Sequence, residues 1–564
     1  MPSASHILIS AVVTWLAKSL ISRVLSIRLA LRHLHAPFAG FHLLNPFYVP
    51  AILLGSWFPR LGAPALGAWT SKFAPYAEHR STAVAGIVVH NACPMVWFAD
   101  AESIKYITTE TSIFTKDPVP YDIVNFYGKN IISAEGADWR RHRRITRPAF
   151  NESGNAFVWK ETLRISHEWF SDLKMRAESS TVQDSFVINA GEDLSQASML
   201  VIASAGFGHR SSWKDDGTVA PGHALTFRQA LFLASAYGSV KVLTPSWLYT
   251  LSEHVYVPLA GRLIRDTQTA FEALRVHMLE LVGMARAWVI EGKIDAGDAA
   301  LLRNLVEANM DVSEGDVHKA GDNALTESEL LSNSFIFLFA GHETTAHTLT
   351  FAVGLLALYP QVQQKIYRET LALWPDGIPT LASTSSYRES FSQLPYTLAI
   401  FYETLRLFPA VIRIARLVRA DTTVPAYRFN LSPSGVAEKV QNIVVPVSAG
   451  SQVMYDIRAL HHNPMYWGAD ADEFKPERFL DTESYRWPRD AFIPFSAGPR
   501  ICIGQKFAVT EGVCLLATLV RTFELTVPEP LRQAPFEQQK ESILAWRAGQ
   551  TMEPTSAYVQ LTRR

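Results

Sequence analysis

Phe495-Ser496-Ala497-Gly498-Pro499-Arg500-Ile501-Cys502-Ile503-Gly504 is the most informative stretch of this 564-residue chain. One cysteine stands between two glycines, beside an arginine and ahead of a helical stretch. A lone thiolate bound to iron needs donors and positive charge to stay deprotonated. A tight glycine turn can aim backbone N–H groups at the sulfur, and the N-terminus of the following helix adds a favourable dipole. An isolated cysteine is more often a small buried hydrophobe, the reading that suits Cys93 and Cys514. Three cysteines without a C-x-x-C pair cannot form a disulfide framework, which points to a reducing environment.

Upstream, Thr326 and Glu329 form a T-x-x-E capping box before an apolar run that reaches Tyr359 and stops at Pro360. Such a helix would be about 50 Å long. Between Leu330 and Leu358 its one formally charged residue is Glu343. Hydropathy alone would make this a membrane span, but Gly341-His342-Glu343-Thr344-Thr345-Ala346-His347 is too polar to face lipid. A central helix through a large core is the better reading, and a glycine beside hydroxyls and a carboxylate is expected to open its backbone ladder locally. His342, Glu343 and His347 imitate a zinc-protease helix, but the second histidine would have to stand at 346, which is Ala. Five residues apart, the two rings point roughly 140° from each other, which excludes zinc hydrolysis.

Composition narrows the rest. Hydrophobic residues at 48% and charged residues at 19% exclude a mainly disordered chain. Lys+Arg 52 against Asp+Glu 53 leaves no global basic field, so nucleic acid is not an expected partner. Residues 265–292 and 395–408 carry helical spacing, while Ile443–Val445 and Gln452–Tyr455 read as strands around a turn at Gly450. Residues 294–325 read as a long polar surface connection, and 427–441 as an insertion. The expected architecture is mainly α with a minor β-sheet region.

The N-terminus differs from the body. The first 77 residues hold six basic residues and no acidic one. An apolar run, Ile7 to Ala17, precedes Lys18, Arg23, Arg28 and Arg32, which suits a short anchor with the body on the cytoplasmic side. Leu34 to Pro59, broken by Pro37, Pro46 and Pro50, reads as an interfacial segment. An arginine-rich, acid-poor start also resembles a mitochondrial transit peptide, and a plain buried N-terminal layer is a third reading. The expected division is an anchor and interfacial segment over 1–60 and a catalytic domain over 61–564. The proline-rich hinge expected between them is poorly formed, with only Pro59 and Pro64.

The motifs together resemble the cytochrome P450 monooxygenases. Phe495–Gly504 matches their haem loop F-x-x-G-x-R-x-C-x-G at every fixed position. Ala340–Thr345 looks like the oxygen-activating motif of their central helix. Glu403-Thr404-Leu405-Arg406 matches E-x-x-R, Pro476-Glu477-Arg478-Phe479 matches P-E-R-F, and Trp139–Arg143 matches W-x-x-x-R, all in the family's order. The resemblance implies a cytochrome P450 fold with haem b between the central helix and the cysteine loop. It makes Cys502 the iron ligand, whose thiolate favours O–O cleavage, with Phe495 and Gly504 framing it. Glu343 and Thr344 would relay protons over the distal face. Trp139, Arg143, Arg416 and Arg500 would contact the haem propionates, and Glu403, Arg406 and Arg478 would form a buried structural triad. Arg140, Arg141 and Arg144 would be solvated or face an acidic redox partner.

No G-x-G-x-x-G accompanies a strand–helix unit, so electrons must come from another protein. The resemblance implies an NADPH-cytochrome P450 reductase, with cytochrome b5 as a second donor. It also implies an endoplasmic-reticulum membrane setting with the catalytic domain in the cytoplasm. Ile336, Ala340, Val411 and Ile412 would line an apolar pocket, with Phe335 and Phe339 beside them, for a lipophilic small molecule of secondary metabolism. Two other classes stay open: a haem-thiolate isomerase or dehydratase that needs no dioxygen, and a non-catalytic haem protein.

Overall fold

The computed structural model describes residues 4–46, 71–178, 185–214, 219–254, 261–292, 299–313, 324–380, 387–549, 551–555 and 557–564. Its axis is the helix Glu327–Leu358, the central helix, buried along most of its length. Thr326 caps it as expected: Glu329 N–H donates to Thr326 Oγ1 at 3.2 Å, and Thr326 N–H donates back to Glu329 Oε2 at 3.0 Å. The helix stays regular throughout, so the local opening expected near Gly341 does not occur. The hydroxyls turn inward instead, Thr344 Oγ1 donating to Ala340 O at 2.9 Å and Thr345 Oγ1 to Gly341 O at 3.2 Å.

Helices Glu152–Glu178, Ala190–Phe207, Pro395–Leu407 and Gln505–Thr522 pack around this axis into one apolar core. Gly341 allows the close approach of Ala190–Phe207, since a Cβ there would lie 3.0 Å from Ile202. A second core lies beside a six-stranded sheet. The sheet runs Phe38–His42, Ala83–Val88, Cys93–Phe98, Gln452–Asp456, Arg413–Val418, Phe114–Thr115. It joins both ends of the chain, because Cys93–Phe98 and Gln452–Asp456 are parallel neighbours.

Several expectations need correction. Residues 294–325 are not simply a surface connection: Ala300–Ser313 is a helix that buries Leu301, Leu302, Leu305 and Val306. Its apolar residues recur at three- and four-residue spacing inside a polar context that masked them. The stretch 427–441 lies in a long antiparallel hairpin, Thr422–Leu431 with Ala437–Val447. The first part of Leu34–Pro59 is built into the body, although Phe38, Phe41 and Leu43 stay exposed. Phe38–His42 pairs in parallel with Ala83–Val88, and His42 is fully buried, so the sheet extends before the boundary expected at residue 60. That boundary, Pro59 and Pro64 lie outside the described residues. At the N-terminus Ala4–Arg32 is one helix. No helix among the described residues is both long and apolar enough to cross a membrane.

Candidate active site

Cys502 follows a single 3-10 turn, Gly498–Arg500, and its N–H donates to Phe495 O at 2.9 Å, closing the loop. Ser496 and Gly498 both take left-handed backbone angles, φ 64° and 68°. At 498 only glycine fits, since a Cβ would lie 2.5 Å from Thr108 O. Gly504 ends the loop and accepts from Ala508 N–H at 2.9 Å, starting helix Gln505–Thr522 directly behind the sulfur. Cys502 lies deep in the protein, yet its side chain opens onto an internal cavity of about 480 Å³. Burial pushes its thiol pKa up, while the Gly504 N–H and the Arg143 cation oppose that shift.

The opposite wall is apolar with a few hydroxyls. Ile336, Ala340 and Thr344, each four residues apart, share one face of the central helix and line the cavity. Val411 lines the cavity too, and Phe495 borders it from the cysteine loop. Ile412 does not: it is 3% exposed and belongs to the helical core. Phe335 and Phe339 stack on each other at 5.5 Å away from the cavity. Thr345 lies on the wall as well as Thr344.

Glu343 departs from the expectation of a carboxylate over the distal face. Its carboxyl is off the cavity wall, buried, and carries an unpartnered Oε2. Burial, reinforced by Glu553, pushes its pKa up to about 8. Glu553 belongs to the C-terminal hairpin Trp546–Ala548/Met552–Pro554 and pairs with Arg547 at 2.7 Å. His347, one turn beyond Glu343, is 2.9 Å from Thr551 Oγ1 of the same hairpin, whereas His342 is 2.8 Å from Leu338 O. The two histidines face different partners, in keeping with the rejection of a zinc-protease helix.

Cations gather at the other end of the cavity. The Trp139 ring lies between two arginines, 4.1 Å from Arg500 and 5.6 Å from Arg143. Arg143 Nη1 donates to Ile501 O at 3.2 Å, tying its helix to the cysteine loop. Arg416, 6% exposed, donates to Tyr455 OH at 3.2 Å, and Tyr455 OH is 3.0 Å from Ser496 Oγ. Lys116, which sequence reasoning missed, joins them on the wall, its Nζ donating to Ile132 O. Against these cations stands Glu135, 2.9 Å from Arg500 and half exposed. Burial, then Arg500 and Arg416, hold the Lys116 pKa well below the usual lysine range. Arg500 falls to about 10, mainly through burial, and its Nη1 is buried without a partner. No local motif marks Lys116; only the fold brings it here.

The third cluster is the triad. Arg406 Nε and Nη2 donate to the two oxygens of Glu403 at 2.7 and 2.8 Å, all fully buried. Arg406 Nη1 also donates to His461 O and Ala471 O at 2.7 and 2.6 Å. Arg478 Nε lies 3.6 Å from Glu403 Oε1, and its Nη2 pairs with Asp470 at 2.7 Å. Arg141 is not the solvated cation expected: it holds Glu329 with contacts of 2.6 and 2.9 Å. Arg140 and Arg144 are exposed.

These observations fit haem. A sulfur ligand stands on one wall, an apolar helix face on the other, and a cation excess with an orphaned guanidinium nitrogen sits where carboxylates would be needed. The arrangement defines a haem-thiolate protein. A family model for cytochrome P450 matches residues 85–431 and 437–551. Cytochrome P450 monooxygenase 124 of Postia placenta is 35% identical over 99% of this chain and 100% of its own length. Cytochrome P450 monooxygenase prx9 of Penicillium rubens is 26% identical over 89% of this chain and 86% of its own. Secologanin synthase 1 of Catharanthus roseus is 26% identical over 78% and 76%. The chain belongs to the cytochrome P450 family. It is accordingly an oxidoreductase of the monooxygenase class that uses haem with a cysteine thiolate ligand.

Proposed function

We propose that the protein inserts one oxygen atom of dioxygen into a lipophilic small molecule of secondary metabolism. In this reading a separate NADPH-cytochrome P450 reductase supplies two electrons, cytochrome b5 is an auxiliary donor, and the second oxygen leaves as water. The observation that carries it is the cavity itself: Cys502 faces an apolar helix wall whose polar groups are the hydroxyls of Thr344, Thr345 and Thr348. When bound, the haem supplies dioxygen activation. Cys502 is its thiolate ligand, held by the Phe495 carbonyl and backed by the helix that starts after Gly504. Arg500, Arg416 and Arg143 bind its carboxylates, Trp139 orients two of these arginines, and Lys116 adds a fourth cation.

Thr344 holds a proton at the wall, its hydroxyl directed at the Ala340 carbonyl. Ile336, Ala340 and Val411 select apolar substrates and exclude water. The helix Ala4–Arg32 exposes Trp15, Leu20 and Ile21 and ends in basic residues, which supports seating on an anionic endoplasmic-reticulum surface with the catalytic body in the cytoplasm.

The test is spectroscopic. Reduced protein under carbon monoxide is expected to show the red-shifted Soret band of thiolate-ligated haem, and Cys502→Ser to abolish it. A band that survives in Cys502→Ser assigns the ligand elsewhere. With the reductase and a substrate, NADPH and dioxygen consumption are expected; substrate conversion without either would move the protein to the isomerase or dehydratase class.

A further inference from the structure

Away from the haem cavity, a turn containing His223 lies against the long helix Gly261–Glu291. His223 Nε2 sits 3.0 Å from Glu280 Oε2, and His277 Nδ1 sits 3.9 Å from the same oxygen. One donor atom from each of the three residues lies within 4.8 Å of the others. His277 and Glu280 are three residues apart and so share a helix face. The two imidazole rings stack, with centroids 4.3 Å apart.

Proton accounting shows what this arrangement lacks. His277 Nε2 is 3.0 Å from Leu225 O, and a carbonyl can only accept, so Nε2 carries the proton. His277 Nδ1 lies 3.9 Å from the Glu280 carboxylate oxygen, beyond hydrogen-bond reach. His223 has the complementary difficulty. If its Nε2–H donates to Glu280, its Nδ1 is a buried acceptor without a partner. Two imidazoles and a carboxylate thus converge on one point with donor atoms at ligand-pair spacing. The histidine side chains are only 10% and 12% exposed, while Glu280 at 53% opens the point to solvent.

We propose that His223, His277 and Glu280 form a divalent-cation site of the zinc class, with water as the fourth ligand. Zinc–ligand bonds of about 2.0–2.1 Å in a tetrahedron put donors roughly 3.4 Å apart, between the two spacings observed. Loading requires the stacked rings to hinge apart along the edge facing Glu280, a movement open to His223 because it sits on a turn. The bond from His277 to the Leu225 carbonyl is the outer contact that fixes a ligand's tautomer and direction. A cation held here would tie the turn to the long helix. The turn leads directly into helix Phe227–Ala236, whose Phe232 packs edge-on to His342 of the central helix at 5.9 Å.

The experiment is zinc titration of the chelator-treated holoprotein, prepared without an oligohistidine tag and followed by calorimetry and thermal melting. One zinc per haem is expected, with a dissociation constant of about 10 µM or tighter, and a higher melting temperature on loading. His223→Ala and Glu280→Gln should each weaken uptake at least ~10-fold while the carbon monoxide band stays unchanged. His223→Ala lies on a turn and keeps the test open should a helix variant fail to fold. No saturable uptake below about 100 µM overturns the site. Equal uptake by the His223→Ala/His277→Ala double variant also overturns it, because the zinc would then bind elsewhere.

Discussion

The Glu403–Arg406–Arg478 triad and the cations around the cavity are built on opposite terms. In the triad every charge is answered inside the protein, by a bidentate carboxylate, by Asp470 and by backbone carbonyls, although Arg478 Nε makes no hydrogen bond. Around the cavity Lys116, Arg416 and Arg500 share one half-exposed carboxylate, Glu135, and Arg500 keeps a buried nitrogen without a partner. A buried cluster closed on itself holds the fold together, because removing one member strands another charge. A cluster left cationic is unfavourable by itself and becomes favourable when an anionic group arrives. The two sets of arginines should therefore fail in different ways.

The largest effect is expected from the closed cluster. Arg406→Ala strands Glu403 in the core and should cost about 3–5 kcal/mol, measured as a lower denaturant midpoint and a poor yield of folded protein. A variant of wild-type stability would remove the basis of the comparison. Next comes a group that belongs to neither cluster and separates chemistry from scaffold. Thr344→Ala should leave haem content intact while product per NADPH falls on the order of 10²-fold and hydrogen peroxide rises in its place. Thr345 lies on the same wall, so Thr350, whose hydroxyl also bonds back into the helix but which is off the wall, serves as the control.

Third are the open-cluster arginines. Arg416→Gln and Arg500→Gln each remove a charge-assisted contact worth roughly 1.5–3 kcal/mol to the haem carboxylates, so haem transfer to apomyoglobin should accelerate by ~10-fold or more. The apoprotein should unfold at the same denaturant concentration as wild type or higher, since a like charge has been removed. Apoprotein destabilised as much as by Arg406→Ala would mean that the rim is scaffold after all.

The smallest effect comes from a third kind of buried charge, a carboxyl with no cation to answer it. Glu511 is buried, and burial, only partly opposed by the Ser198 hydroxyl, pushes its pKa up from 4.5 to about 8. Between those values the unfolded chain releases a proton that the folded chain keeps, so stability falls as pH rises from about 4.5 to about 8. Glu511→Gln removes that dependence. It should gain roughly 1–3 kcal/mol at pH 8 and nothing near pH 4.5, read from melting curves at the two pH values. An unchanged pH profile would show that Glu511 is already ionised or solvated.

Much of this organisation was written locally. The cysteine loop, the capping box at Thr326, the E-x-x-R pair and the Trp139–Arg143 turn each lie within a few residues, so backbone geometry and short-range hydrogen bonds specify them whatever surrounds them. The same local reading fell short where a partner from far along the chain decides the outcome. Arg141 looked solvated until Glu329 met it, Ile412 looked like cavity wall until the fold placed it in the core, and Phe38–His42 did not read as a strand until Ala83–Val88 paired with it.

What the sequence by itself determined is the class of the protein, its mainly helical fold, and the chemistry-bearing loop and helix, because those signals reside in residue type and spacing. What only the tertiary structure decided is the electrostatics around them: Lys116 beside Arg500 and Arg416, Glu343 turned toward Glu553, and His223 across from His277 and Glu280. Each depends on charges brought within a few ångströms from distant positions under burial. Coulomb and desolvation energies are set by distance and by loss of water, neither of which is written in the order of residues along the chain.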